Sequence, residues 1–200
     1  HFAKTGLVHS EIPLQDALPR TAEVEAYYPV DANEDVKGKT YHELSIVTGK
    51  ATDTLTSMSL RLLETVLLES ESSPLRRALI EAGVGQNIGG SYVGSLQQPV
   101  FSIRAAGSEP EQRDKFISVI YKTLQELTIK GLDKELLEAT LNSTEFKLRE
   151  ADFGPYPKGL IYGLGVLDNW LYGGNPLEGL RYKDALQTMR KGLKTNFYES

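Results

Sequence analysis

The sequence predicts an α+β domain in which an antiparallel sheet carries helices on one face. Three features predict it: two short segments with two-residue apolar alternation, a pair of strand-like runs close enough to form a hairpin, and long stretches whose apolar residues recur at spacings of three and four. Their order is two strands, two helices, a hairpin, then helices.

Residues 1–22 contain Pro13 and Pro19 and no sustained period, so they read as an irregular lead-in. Residues 23–200 read as one domain. Val24, Ala26, Tyr28 and Val30 alternate with Glu23, Glu25 and Tyr27, which predicts a half-buried strand. Pro29 lacks a backbone donor and places that strand at an edge. Residues 31–39 are charged, contain Gly38, and predict an exposed loop. His42, Leu44, Ile46 and Thr48 line one face of a second strand that ends at Gly49.

Helical spacing begins after Asp53, with Leu55, Ser59, Leu62, Leu63, Val66 and Leu67 on one stripe. Ser73 before Pro74 predicts a hydroxyl cap and a proline at the first helical position, where its missing donor costs nothing. Leu75, Ala78, Leu79 and Ala82 form that helix's buried face, and Gly83 supplies a left-handed stop. Residues 86–94 and 99–106, joined by Ser95-Leu96-Gln97-Gln98, predict a hairpin in which Phe101, Ile103 and Ala105 alternate with Ser102 and Arg104.

Ser108 with Glu111 three residues on reads as a capping box before a helix carrying Phe116, Ile117, Ile120, Leu124 and Leu127 and ending at Gly131. Asp133 caps the next helix, which runs to about Asp152 and contains the favourably ordered pair Glu145 and Arg149. Gly154, Pro155 and Pro157 break the chain. A further helix places Leu160, Leu164, Leu167 and Leu171 on one stripe, and Asn175-Pro176-Leu177-Glu178 opens a last helix with Tyr182, Ala185, Leu186 and Met189 facing inward.

Composition narrows the function. With 40% hydrophobic and 24% charged residues the chain is of ordinary globular make-up. It has no run of about 18 apolar residues, so a membrane-spanning helix is excluded. Net charge is −5, with lysine and arginine spread among acids rather than gathered in a stripe, so nucleic acid is not expected as a partner. The absence of cysteine rules out disulfides, thiolate catalysis and cysteine-ligated zinc. Both ends read as cut, and a fragment of a longer chain is expected.

No motif assembles a catalytic centre. A zinc peptidase places two histidines one helical turn apart with a carboxylate to activate water. Only His1, His9 and His42 exist; His42-Glu43 begins like HExxH, but Ile46 stands where the second histidine belongs. His9-Ser10-Glu11 fails the inverted HxxEH pattern as well. The run Gly83-Val84-Gly85-Gln86-Asn87-Ile88-Gly89 has Ile88 at the third glycine position of a dinucleotide loop and follows a helix instead of opening one; its glycines are read as a helix stop and a close strand contact. Gly89-Gly90-Ser91-Tyr92-Val93 lacks the final glycine of a nucleophile elbow, and Asp152-Phe153-Gly154 has no accompanying kinase motifs. Glu69 with Glu71, and Glu150 with Asp152, are read as solvated helix ends. Tyr92, Tyr156, Tyr162, Trp170 and Tyr172 are read as core or inter-domain contacts ahead of a peptide cleft.

The stretch Ser73-Pro74-Leu75-Arg76-Arg77-Ala78-Leu79-Ile80-Glu81-Ala82-Gly83-Val84-Gly85 resembles the presequence-protease and falcilysin-like branch of the insulinase (pitrilysin) superfamily. Gly90-Ser91-Tyr92-Val93-Gly94, Phe101-Ser102-Ile103-Arg104, Lys130-Gly131-Leu132-Asp133, Glu145-Phe146-Lys147-Leu148-Arg149-Glu150, Tyr156-Pro157-Lys158-Gly159-Leu160, Trp170-Leu171-Tyr172 and Pro176-Leu177 continue it in order. The resemblance runs from about Val24 to the C-terminus. It implies a zinc metalloendopeptidase of four similar domains in two halves that close around a chamber for unfolded peptides. The matched region is the second, non-catalytic domain. No catalytic, cofactor-binding or metal residue is therefore assigned in this chain.

The resemblance further implies that zinc is held by a first domain outside these residues, that the catalytic domain of the same parent chain is the partner, and that unfolded peptides are the substrates of the whole. Cytoplasm is the default compartment, with organelles also represented in the family. Two further expectations remain open. The strand at residues 100–106 is expected to offer an edge to a neighbouring domain or an extended peptide. The competing function is a scaffold or binding subunit of the same fold, which an HxxEH motif upstream of His1 would argue against.

Overall fold

The computed structural model describes residue 6 and residues 12–151, 153–195 and 197–198. Three strands, β1 (Thr40–Val47), β2 (Asn87–Val93) and β3 (Val100–Ser108), form one antiparallel sheet in the order β1-β3-β2. The predicted α+β class holds, and so does the hairpin of β2 and β3. The predicted edge does not. β3 is the central strand, hydrogen-bonded on one side to β1 and on the other to β2, so its backbone groups are already used and it offers nothing to an outside strand.

Helices cover one face. Asp53 caps α1 (Thr54–Glu64) by accepting from Thr56 N at 3.0 Å. The helix continues into a π-helical turn, Thr65–Glu69, whose wider winding buries Val66, Leu67 and Leu68 in succession. The second helix, α2 (Pro74–Glu81), buries Leu75 and Leu79 and ends at Gly83, whose φ of 65° is the left-handed geometry expected of it. These segments pack on β2, and α3 (Arg113–Lys130) packs on α2 and β1 with Phe116 and Ile120 buried. Asp133 caps α4 (Lys134–Glu150), accepting from Glu135 N at 2.9 Å and Leu136 N at 3.1 Å. With α6 (Tyr182–Gly192), α4 forms an outer layer against α1. Glu145 of α4 binds both Arg149 and Arg190, which clamps α4 to α6.

Several local expectations are corrected. Residues 24–30 are not a strand: Val24 is 92% and Tyr27 90% exposed, and the segment has no ladder partner among the described residues. Alternation makes a strand only where a neighbour supplies backbone partners, and here Tyr28 instead donates its hydroxyl to Lys39 O and sets its ring edge-on to Tyr41. Ser73 does not cap α2 with its side chain; the hydroxyl turns back and accepts from Ser70 N at 3.1 Å. The capping box at Ser108 does not form, because Ser108 still belongs to β3 and its buried hydroxyl donates to Val84 O. A 3-10 turn, Pro110–Gln112, separates it from α3. The last helix opens later than residues 175–178: Asn175 Oδ1 accepts from Leu177 N at 3.0 Å, a 3-10 turn spans Glu178–Leu180, and α6 starts at Tyr182.

The remaining helix, α5 (Lys158–Trp170), exists where helical spacing placed it, but its stripe faces the wrong way for a core. Leu160, Leu164, Leu167 and Leu171 are all exposed, while Asn169 is buried.

Candidate functional site

The sheet face turned away from the helices is the candidate site. Side chains alternate across a strand, so the residues opposite the buried Ile88, Tyr92, Phe101, Ile103 and Ala105 stand on it. The register aligns them in rungs. Glu43, Arg104 and Gly89 form one, Ser45, Ser102 and Ser91 the next, and Val47, Val100 and Val93 the third. Glu43 Oε2 accepts from Arg104 Nε at 3.0 Å and Nη2 at 2.8 Å. Ser45 Oγ donates to Glu43 Oε1 at 2.8 Å and lies 2.7 Å from Ser102 Oγ. The Ser45 hydroxyl, then Arg104, hold the Glu43 carboxyl below the usual carboxylate range against the opposing effect of burial.

Glycine opens this face. A Cβ added at Gly89 would meet no atom within 4 Å, whereas at Gly90, on the helix side, it would overlap Leu68 and lie 3.0 Å from Ser102 O. Asn87, Gly89, Ser91, Ser102, Arg104 and Ala106 line a hollow of about 190 Å³ there. Its one cation is already neutralised by Glu43, so the trough is polar but carries little net charge. The free edge of β2 borders it, since β3 is the only strand neighbour of β2 among the described residues. A second hollow of about 230 Å³, on the helix side between Ile46, Leu60, Leu63, Phe101 and Leu124, is lined by apolar side chains and Thr48.

The arrangement suits binding an extended backbone. It does not suit acid–base or metal chemistry. Among the described residues no three histidine or carboxylate side chains converge as metal ligands. His42 lies buried on the helix side, Nε2 2.9 Å from Glu109 O and its ring stacked on Phe116. His1, His9, Ser10, Glu11 and Asp152 lie outside the described residues. The donors among the described residues therefore do not fit a peptidase zinc. Glu69, Glu71 and Glu150 are exposed; burial, then the charge of Glu69, raises the carboxyl of Glu64, against the opposing charge of Arg61. Gly85 packs 2.9 Å, measured from a would-be Cβ, from Ala106 O, so the glycine run serves the helix stop and close strand contact expected of it.

The aromatic residues divide. Tyr92 is core and donates to Ser57 Oγ at 3.1 Å, and Tyr172 donates to Ser95 O at 3.0 Å, tying the end of α5 to the β2–β3 loop. Tyr156, Tyr162 and Trp170 are exposed around α5. The rungs were missed by motif reading. Their signal was the polar half of each strand's alternation, which names outward residues but not which of them stand side by side.

The family model described as the Peptidase M16 inactive domain matches residues 9–144. Protein HypA of Clostridium perfringens (strain 13 / Type A) is 38% identical over 192 residues, covering 96% of this chain and 20% of its own length. Presequence protease 1, chloroplastic/mitochondrial, of Arabidopsis thaliana is 33% identical over 194 residues, 95% of this chain and 17% of its own length. The chain thus spans about a fifth or less of these relatives. Among solved structures, a zinc-protease candidate from Bordetella pertussis Tohama I and the inactive peptidase domain of another from Bordetella parapertussis each share the fold at a TM-score of 0.62. Both are 16% identical and cover 78% of this chain, which spans 85% and 84% of theirs.

Proposed function

Because the chain belongs to the Peptidase M16 inactive domain family, we propose that it forms part of the wall of a peptide-holding chamber in a longer zinc-dependent metalloendopeptidase. It is the non-catalytic domain of that family's architecture. The partner in this reading is the catalytic domain of the same polypeptide, the substrates are unfolded peptides, and zinc is bound outside residues 1–200. The compartment is cytoplasmic by default, with an organelle as the other class, since the plant relative is named chloroplastic/mitochondrial.

The observation that carries the reading is the uncovered sheet face, with Gly89 and Ser91 leaving a trough along the open edge of β2. An extended peptide could use the unpaired backbone groups of that edge, and its alternate side chains would lie over the serine and valine rungs. The edge of β1 is less free, because Tyr28 lies against Tyr41 and Lys39.

The test uses the longer polypeptide. Gly89→Val fills the trough and should raise KM for an unstructured peptide by about threefold or more with kcat unchanged, the pattern of lost uniform binding. An unchanged KM would remove the trough from substrate binding. The 200-residue chain by itself should neither hold stoichiometric zinc nor cut the peptide; mass spectrometry showing both would overturn the wall-domain reading.

A further inference from the structure

We propose that α5 is a docking helix whose exposed apolar face packs against a helix elsewhere in the same longer polypeptide. The proposal deepens the reading above and rests on the chain being one domain of a longer protein.

The helix is inverted for a free surface. Leu160, Leu164, Leu167 and Leu171 recur at spacings of four, three and four, which places them on one narrow stripe. Tyr156, Gly159, Gly163 and Trp170 widen that stripe on one side. Every one of these residues is exposed: Leu164 at 50%, Trp170 at 62% and Leu171 at 70%. The opposite side carries the buried Asn169, whose Oδ1 has no hydrogen-bond partner. Within α5 the only charged residues are Lys158 and Asp168. A helix this apolar is ordinarily covered, and a continuous exposed apolar patch marks an interaction surface.

The glycines say what kind of surface covers it. Glycine inside a helix weakens it, yet α5 contains Gly159, Gly163 and Gly165, and a Cβ at any of them would meet nothing within 4 Å. Among the described residues these glycines relieve no crowding. Gly159 and Gly163, four residues apart beside the leucine stripe, would let the backbone of another helix approach closely, with the leucines interdigitating along it. An extended strand or a flexible segment would not need that close approach.

The comparisons point to where that helix lies. The family model ends at residue 144, before α5 begins. The Clostridium perfringens and Arabidopsis thaliana relatives match 96% and 95% of this chain, a coverage that reaches across α5, and the chain is 20% and 17% of their lengths. These relatives therefore carry a sequence like that of α5 within polypeptides about five times as long as this chain, with ample further chain to cover it. Its cover is accordingly assigned to the rest of such a polypeptide and not to a second copy.

Thiol labelling decides this, since residues 1–200 contain no cysteine. Leu164→Cys and Leu171→Cys are each placed in the 200-residue chain and in the longer polypeptide, with the unsubstituted longer polypeptide as background. In the longer polypeptide both should react at least about tenfold more slowly, because reaction would require local opening. Equal rates in the two contexts would overturn the proposal. Slow, concentration-dependent labelling in the 200-residue chain, with a dimer in sedimentation, would overturn it in favour of self-association. Peptide cleavage is read separately: a longer polypeptide without peptidase activity but with protected α5 would sink the chamber-wall reading and leave the docking helix standing.

Discussion

Arg104 on the central strand and Glu43 on β1 share one carboxylate oxygen across the sheet, with Nε at 3.0 Å and Nη2 at 2.8 Å from Glu43 Oε2. This pair flanks the trough and cancels the one cation there. Because Glu43 is held below its ordinary range, its contribution to stability is present above the unfolded carboxylate value and is lost as pH falls through the lower folded value. Both side chains are well exposed, so Glu43→Gln should cost no more than about 1 kcal/mol at neutral pH. Urea unfolding at pH 7 and at pH 3 checks this, and the difference between wild type and variant should shrink at the acid end.

The two neighbouring glycines of β2 should respond differently to the same change. Gly90→Ala drives a Cβ onto Leu68 in the core and should destabilise by about 1–3 kcal/mol through overpacking. Gly89→Ala meets open space and should stay within about 0.5 kcal/mol of wild type. Equal losses in denaturant titrations would show that Gly89 does not face an open trough.

One helix cap and the two residues of the capping box that does not form give a three-way test. Asp133→Ala removes an acceptor that serves two backbone donors of α4 and should cost about 1 kcal/mol. Ser108→Ala deletes a buried hydroxyl that donates to Val84 O, leaving that carbonyl without this donor, and should cost about 1–3 kcal/mol. A Glu111→Ala change should be neutral within about 0.5 kcal/mol, since no capping box depends on it. Thermal unfolding of the three variants separates these cases.

The core beneath the site can be tested at its most buried positions. Leu79 and Ile120 are fully buried, and Leu79→Ala or Ile120→Ala should each cost about 2–5 kcal/mol. A loss below about 1 kcal/mol in chemical denaturation, typical of a surface site, would contradict the packing of α2 and α3.

Tyr198 packs beside α6 and donates to Met189 O at 2.9 Å, and burial pushes its phenol up to about 12. The folded state favours the neutral phenol, so its contribution is complete below the unfolded value of about 10 and is lost as pH rises towards 12. Ultraviolet titration should show a late-ionising phenol that Tyr198→Phe removes.

Much of the fold was legible in the residues because the signals were local. Asp133 caps α4 and Gly83 stops α2 through geometry within a few residues, and the alternation of Phe101, Ile103 and Ala105 records one buried face. Misreadings arose where a local pattern needed a distant partner. Val24 to Tyr28 alternate like a strand, but among the described residues no strand lies beside them; the hydroxyls of Ser73 and Ser108, of a type that caps helices, bond instead to Ser70 and Val84.

What the chain's residues determined by themselves was the α+β class, the hairpin and the helix caps that rely on neighbours. Only the tertiary structure decided that β3 is central, that Glu43, Arg104 and Gly89 share a rung, and that the leucines of α5 face outward. The reason is physical: periodicity says which side chains share a face, whereas strand order and the covering of a face depend on contacts between residues far apart in the chain.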